Sequence, residues 1–299
     1  MRAAGVEVLR CGAGCGALLG HACGRVAAIF ERSFYIESHG EFVCVGPRRI
    51  GNGPLNAIVG AEDFELLRQA VTLGGTYAVA GDCSARFGKL SLHFSAASRW
   101  EPPVVSPPSL DWSLSDIARV KTELDSLLPE DGLAKIILRL DAAEGSPLAS
   151  VARPAISSLR SVLRAGATGH EWPRETLTSA ARLLGLGPGL TPSGDDVIGG
   201  VLIALRAAKR RLLAERLWSA LLPLAIAGTS PLSLAHLRAA AAGQGAEALH
   251  RAMNDLFSRS FDSLSVSIRD LGKVGHTSGF DGLAGVILAL ESWNAPGAP

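Results

Sequence analysis

Charge is scarce in this sequence, and what there is cancels. Charged residues make up 19% of the 299 positions, and 29 Lys and Arg against 28 Asp and Glu leave a net charge of +1. That excludes a basic field for nucleic acid or an anionic membrane, and it excludes the low-hydrophobicity, high-charge composition of a disordered chain. Long apolar runs are missing too. Val197–Leu205 stops at Arg206 and Leu217–Ala227 contains Pro223, whereas a membrane span needs about 20 apolar residues. Glu7 and Arg10 interrupt the small apolar residues at the start, so no leader peptide is expected. No cysteine follows Cys83. The odd set of Cys11, Cys15, Cys23, Cys44 and Cys83 reads as reduced thiols in a cytoplasmic protein. Cys11, Cys15 and Cys23, with His21 nearby, lack the C-x-x-C pairing of a zinc site and read as buried small hydrophobes.

What is present is a hydrophobic fraction of 47% and 34 glycines, in a chain long enough to bury about 75% of its unfolded surface. Residues 1–100 predict strands at Arg25–Phe30, Ser33–Glu37, Glu41–Val45, Leu55–Val59, Thr76–Ala80 and Lys89–Phe94, separated by Gly, Pro, Asn and Asp turns. One helix, Ala61–Leu73, interrupts them. This half is expected to be a small barrel or sandwich. Residues 101–112 form a proline-rich linker, opening with EPPVVSPPS. Residues 113–299 then predict an all-α domain of eight to ten helices. Its expected helices run from Ser113 or Ser115 to Leu128, Asp131 to Ala143, and Ala149–Ala165. Arg174–Leu184, Ser193–Leu213, Ala214–Ala227, Pro231–Ala242, Ala246–Ser258, Phe261–Leu271 and Ser278–Trp293 follow. The fold class is therefore α+β, with a β-rich domain followed by a larger all-α one.

The most informative stretch is Gly185–Gly200, GLGPGLTPSGDDVIGG. Free N–H groups on a glycine loop at a helix start cradle an anion. Gly187, Gly189 and Gly194 would supply them, and Thr191 and Ser193 would add hydroxyl donors. Ser193 and Asp196 have the spacing of a capping box. Asp195 and Asp196 would repel an anion unless a cation lay between, and Mg²⁺ on these two carboxylates would resolve the conflict. Capping alone is the alternative, with nothing bound. No Lys stands where a Walker loop needs it, and no strand precedes the loop, so no organic cofactor is expected.

The pattern recurs 85 residues later. Ser193-Gly194-Asp195-Asp196 through Leu205 aligns with Ser278-Gly279-Phe280-Asp281 through Leu290. Thr191 and Thr277 close the two preceding loops. Asp196, Gly200 and Ala204 form one stripe; Asp281, Gly285 and Ala289 form its copy. Small residues at that spacing let two helices approach closely, and parallel packing would bring Asp196 and Asp281 together. The candidate catalytic set is Asp195, Asp196, Asp281 and His276, which lies beside the second loop and could hold an anion or move a proton. Gly187, Gly189, Thr191, Ser193, Gly194, Thr277, Ser278 and Gly279 are the candidate ligand-binding set. The N-terminal GPRRIGNGP, Gly46–Pro54, reads as a solvated hairpin, with a second anion contact as the alternative.

GLGPGLTPSGDD at Gly185–Asp196 and GHTSGFDGLAG at Gly275–Gly285 resemble the AllH family, as do TSPLSLAHLRAAAAG at Thr229–Gly243 and GPRRIGNGPLNAIV near the start. The resemblance implies a role in anaerobic allantoin use, as a subunit of an oxamate carbamoyltransferase. Two partner subunits are implied, one of them similar to acyl-CoA synthetases. The implied reaction splits oxalurate with phosphate into oxamate and carbamoyl phosphate, so the substrates are small anions and an oxyanion develops during attack. The cysteine-rich start departs from the family pattern. A non-catalytic scaffold subunit and a stand-alone metal-dependent hydrolase are the competing readings.

Overall fold

The computed structural model describes residues 4–108, 112–138 and 147–293. The chain divides into two compact units, residues 1–102 and 103–299. Of the expected linker, residues 101–108 and 112 carry no helix or strand, and 109–111 lie outside the described residues.

In the first unit, ten strands make one sheet. They are β1 (Ala4–Glu7), β2 (Arg10–Cys11), β3 (Cys23–Ile29), β4 (Phe34–Ser38), β5 (Glu41–Pro47), β6 (Asn56–Val59), β7 (Thr76–Ala80), β8 (Ser84–Phe87), β9 (Leu90–His93) and β10 (Ser98–Arg99). The order is β1-β9-β8-β7-β3-β4-β5-β6-β2-β10. β1 and β2 stand near opposite ends of that order, yet only Val8 and Leu9 separate them. The Val8 N–H donates to His93 O and the Leu9 N–H to Ile58 O, each at 2.8 Å. One stretch of chain therefore serves both ends, and the sheet curls into a half-barrel rather than a sandwich. Val26, Phe34, Ile36, Val43, Val45 and Leu92 fill its concave side with Phe64 and Leu67 of α2 (Ala61–Ala70). Gly46–Pro54 is not a hairpin. β5 and β6 pair in parallel, and a 3-10 turn at Arg48–Ile50 carries the crossover, with both arginines exposed. Cys15, in α1 (Gly14–Leu19), is buried as expected, but Cys11 is only half-buried and Cys23 is exposed; Cys44 of β5 is buried too. A hydrogen bond from Cys15, with Arg99 nearby, lowers the Cys11 thiol to about 7.

The second unit has ten α-helices among the described residues: α3 (Leu114–Asp125), α4 (Ala134–Leu138), α5 (Pro147–Ala167), α6 (Arg174–Ala180), α7 (Ser193–Ala207), α8 (Arg211–Gly228), α9 (Pro231–Ala241), α10 (Glu247–Phe257), α11 (Phe261–Leu271) and α12 (Ser278–Trp293). Ser113 begins α3 with a reciprocal capping box to Asp116. Residues 139–143, the expected end of the helix from Asp131, lie outside the described residues. The junction between the expected helices Ser193–Leu213 and Ala214–Ala227 falls earlier, between Ala207 and Arg211. Lys209 takes a left-handed φ of 58°, and the Arg210 N–H closes back on Leu205 O at 2.9 Å. That is how a helix ends when its last carbonyls are satisfied by the reversing chain.

α7 and α12 form the axis of this unit. Every residue from Gly279 to Leu290 is buried, as is every residue from Val197 to Leu205. α9 and α8 pack on α7, while α5, α4 and α10 pack on α12. On α10, buried His250 accepts the Gly245 N–H at Nε2, and burial pulls its pKa down to about 4. The unfolded chain binds this proton at the ordinary value near 6.5, and the native state does not. Stability contributed by neutral His250 is thus lost as pH falls from about 6.5 to about 4, at roughly 1.4 kcal/mol per pH unit. Urea unfolding midpoints across that range should drop more steeply for the native chain than for His250→Gln.

Candidate functional site

The α7 and α12 helices run parallel with their N-termini together. Their small residues set the distance. A Cβ at Gly200 would lie 1.9 Å from Gly282 O, and one at Gly285 would lie 2.1 Å from Val197 O. The two contacts are equivalents exchanged between the copies, so the repeat is a two-fold pseudo-symmetry in space. The loops before the helices obey it as well. The Gly194 N–H donates to Leu186 O at 2.9 Å, and the Gly279 N–H to Val274 O at 3.2 Å. The next residue in each loop is a glycine with positive φ, Gly187 at 119° and Gly275 at 63°, and each faces the serine that opens its helix. The first loop is simply longer. No protein acceptor engages the N–H groups of Gly187, Gly189 or Thr191 among the described residues.

The serines and aspartates are swapped across the pair. Ser193 of α7 lies beside Asp281 of α12, and Ser278 of α12 beside Asp196 of α7, so that each hydroxyl favours the ionised form of the carboxyl across the pair. The Thr191 and Ser278 hydroxyls stand 3.3 Å apart, which joins the two loops directly. Asp281 is fully buried. Its Oδ1 accepts the Leu133 and Ala134 N–H groups at 2.7 and 2.8 Å, which caps α4 from another helix. Gly132, with φ of 90°, comes so close that a Cβ there would sit 2.8 Å from Asp281 Oδ2. The Oδ2 atoms of Asp196 and Asp281 have no solvent contact and no hydrogen-bond partner. Burial raises the pKa of both carboxyls, that of Asp196 well above the usual range with the Asp281 charge adding to it.

One expectation needs correcting. Ser193 does not cap its helix: Pro192 holds the N-cap position and Ser193 is the first helical residue, so its hydroxyl is free to cross to Asp281. The two neighbouring aspartates differ in their partners. Asp195 Oδ1 accepts the Gly185 N–H at 3.0 Å, and Oδ2 accepts the hydroxyls of Ser233, at 2.7 Å, and Thr229. Both its oxygens are thus engaged in fastening the glycine loop to the start of α9. Among the described residues no group of three or more His, Cys, Asp or Glu converges as metal ligands would. His276 stands at the rim, exposed, with Nε2 3.4 Å from Asp131. Of the expected set, Thr191, Ser193, Asp196, Thr277, Ser278 and Asp281 come together, Gly187 and Gly194 support them, and Gly189 is open to solvent. Gly132, Leu133 and Ala134 carry no site signal in the sequence beyond the Asp131-Gly132 turn dipeptide.

Fold and site together define a two-unit α+β protein whose helical unit is organised round a duplicated Ser-Gly-x-Asp helix start. Residues 183–290, which hold both copies, match the family model described as oxamate carbamoyltransferase subunit AllH. Over that segment the chain is similar to the AllH family, and the family's description is of a subunit of an enzyme. Neither the curated proteins nor the solved structures yielded a match. No described helix is long and apolar enough to cross a membrane.

Proposed function

We propose that the paired helix starts of α7 and α12 bind phosphate or carbamoyl phosphate for an oxamate carbamoyltransferase complex. The loop Gly185–Asp196 would hold the phosphoryl group, completed by Thr277, Ser278 and Gly279. The observation that carries this reading is the meeting of two parallel helix N-termini beside a glycine loop with unengaged N–H groups. Each terminus presents N–H donors and the positive end of a helix dipole, which favours an anion. The same donors would stabilise the oxyanion formed when a phosphate oxygen attacks the ureido carbonyl of oxalurate. Catalysis in this reading needs no metal on Asp195 and Asp196. Two further subunits, one similar to acyl-CoA synthetases, would complete the site for oxamate.

Gly187→Ala tests it. The added Cβ would fall 2.9 Å from the Ser193 N–H nitrogen at a φ that disfavours side chains. Calorimetric titration of the purified chain with carbamoyl phosphate should show binding that Mg²⁺ does not alter and that weakens about 10-fold or more in the variant. Equal binding by both proteins would remove the loop from the site. No binding by a folded native chain would leave it a scaffold.

A further inference from the structure

The function proposed above leaves the cysteines at the start of the chain unused, yet two of them are placed to react with each other. Cys11 ends β2 and pairs with Ala57 of β6 and Arg99 of β10. Ala57 is fully buried. Cross-strand partners share a face, so Cys11 also turns inward and packs, half-buried, against the core cluster that holds Cys15. Of the five cysteines only these two belong to that cluster. Between them the chain turns tightly. The Cys15 N–H donates to Gly12 O at 3.3 Å, and a Cβ at Gly12 would lie 2.2 Å from Gly53 O. Asn56 O ties both ends together: it accepts the Gly12 N–H at 2.9 Å and the Cys15 thiol at 3.7 Å.

We propose that Cys11 and Cys15 are a peroxide-reactive pair, Cys11 as the attacking thiol and Cys15 as the one that closes a disulfide on it. The Cys11 sulfur takes one oxygen of hydrogen peroxide: an S–O bond forms, the O–O bond breaks, and the other oxygen leaves as water with the Cys11 proton. Cys11 is then a sulfenic acid. The Cys15 sulfur displaces its hydroxyl, so an S–S bond forms, the S–O bond breaks, and the hydroxyl leaves as water with the Cys15 proton. Two thiols and one peroxide become one disulfide and two waters, with sulfur oxidised and oxygen reduced.

Environment divides the two roles. Cys11 reaches solvent, whereas Cys15 is buried. The neighbouring Cys15 thiol holds Cys11 down at about 7 despite its partial burial, helped by the Arg99 guanidinium. Much of Cys11 is therefore thiolate at neutral pH, the form that attacks. Cys11 and burial together hold Cys15 well above the ordinary thiol value, with Cys44 adding to the effect. Cys15 thus keeps its proton until a sulfenic acid stands beside it. Arg99 also reaches Glu101, at 3.7 Å on the surface. Cys44 does not compete, because burial pushes it up to about 11.

Hydrogen peroxide added to the reduced full chain, read by mass spectrometry and thiol counting, tests the pair. One equivalent should lower the mass by two hydrogens and leave three of the five thiols open to alkylation, and dithiothreitol should reverse both changes. Chymotryptic cleavage after Leu18 or Leu19 should release Cys11 and Cys15 joined in one peptide, with Cys23 still a thiol in the next. The loss of two hydrogens should disappear in Cys11→Ser. In Cys15→Ala, Cys11 should stop at the sulfenic acid and take up dimedone. The pH at which its alkylation by iodoacetamide is half-maximal should also rise in that variant, from about 7 toward the ordinary thiol range. Five thiols remaining after peroxide, a disulfide to Cys23, or a sulfenic acid that persists on Cys11 of the native chain would overturn the proposal. Should Cys15→Ala fail to fold, the native peptide map and Cys11→Ser still decide.

Discussion

Gly200→Ala should unfold the helical unit or leave it barely stable. The Cβ would lie 1.9 Å from the carbonyl oxygen of Gly282 and 2.8 Å from its carbon. These are backbone atoms in the middle of a buried helix, so no side chain can swing away. Relief requires α7 and α12 to part, and that breaks the packing of Val197, Val201, Val286 and Ala289 along the seam. Overpacking in cores costs about 1–3 kcal/mol where neighbours can shift; here the neighbour is main chain, and a loss of about 3 kcal/mol or more is expected. Against a total stability of roughly 5–15 kcal/mol, one methyl group would decide the fate of the unit. Gly285→Ala, against Val197 O at 2.1 Å, should behave alike. Gly199→Ala is the control: its Cβ would meet only the Ala240 methyl at 3.6 Å. Chemical denaturation of the three variants should separate Gly199 from the other two. A Gly200→Ala protein as stable as Gly199→Ala would refute the close parallel seam.

Asp195→Ala should cost about as much by a different route. The carboxylate is 2% exposed and accepts from the Gly185 N–H and the Ser233 and Thr229 hydroxyls. Removing it leaves these donors without an acceptor, and each orphaned buried group costs about 1–3 kcal/mol. A total near 3–5 kcal/mol follows, less whatever Thr229 recovers from water. Asp195→Asn should be much milder. Its amide oxygen can still take the Gly185 N–H, and the two hydroxyls can rotate to accept from its NH₂ group. If the two variants are equally stable in urea, Asp195 is not the fastener described above.

Much of this architecture was legible because strong patterns met clear punctuation. β7, α11 and α12 have the bounds expected of them, and α9 differs by one residue at its end. The repeat at Ser193 and Ser278 was visible because glycine and aspartate recur at one helical spacing. What escaped depended on other parts of the chain. β8, Ser84–Phe87, has a single strongly β-forming residue and exists because β7 and β9 flank it. β1 and β2 pair with segments roughly fifty to ninety residues away, which no local pattern encodes. The break between α7 and α8 uses Lys209 in a conformation normally signalled by glycine or asparagine. In the site, the identity of neighbouring aspartates could be read but not their partners. Asp195 turned out to be committed to Gly185, Thr229 and Ser233, and Asp281 to the backbone of Leu133 and Ala134, because tertiary packing brings those donors in from distant segments.

The stretch Ala4–Cys11 has a consequence for how the protein is made. Its first half pairs with Leu90–His93 and its second half with Ala57 and Ile58. During synthesis this segment leaves the ribosome tens of residues ahead of its partners. At roughly 5–20 residues per second it waits several seconds with its apolar Val6 and Val8 side chains exposed. The sheet can curl shut only when His93 is out. A chain stalled before that point would present two unpaired strand edges at once, so the first hundred residues form a single commitment rather than a strand-by-strand accretion.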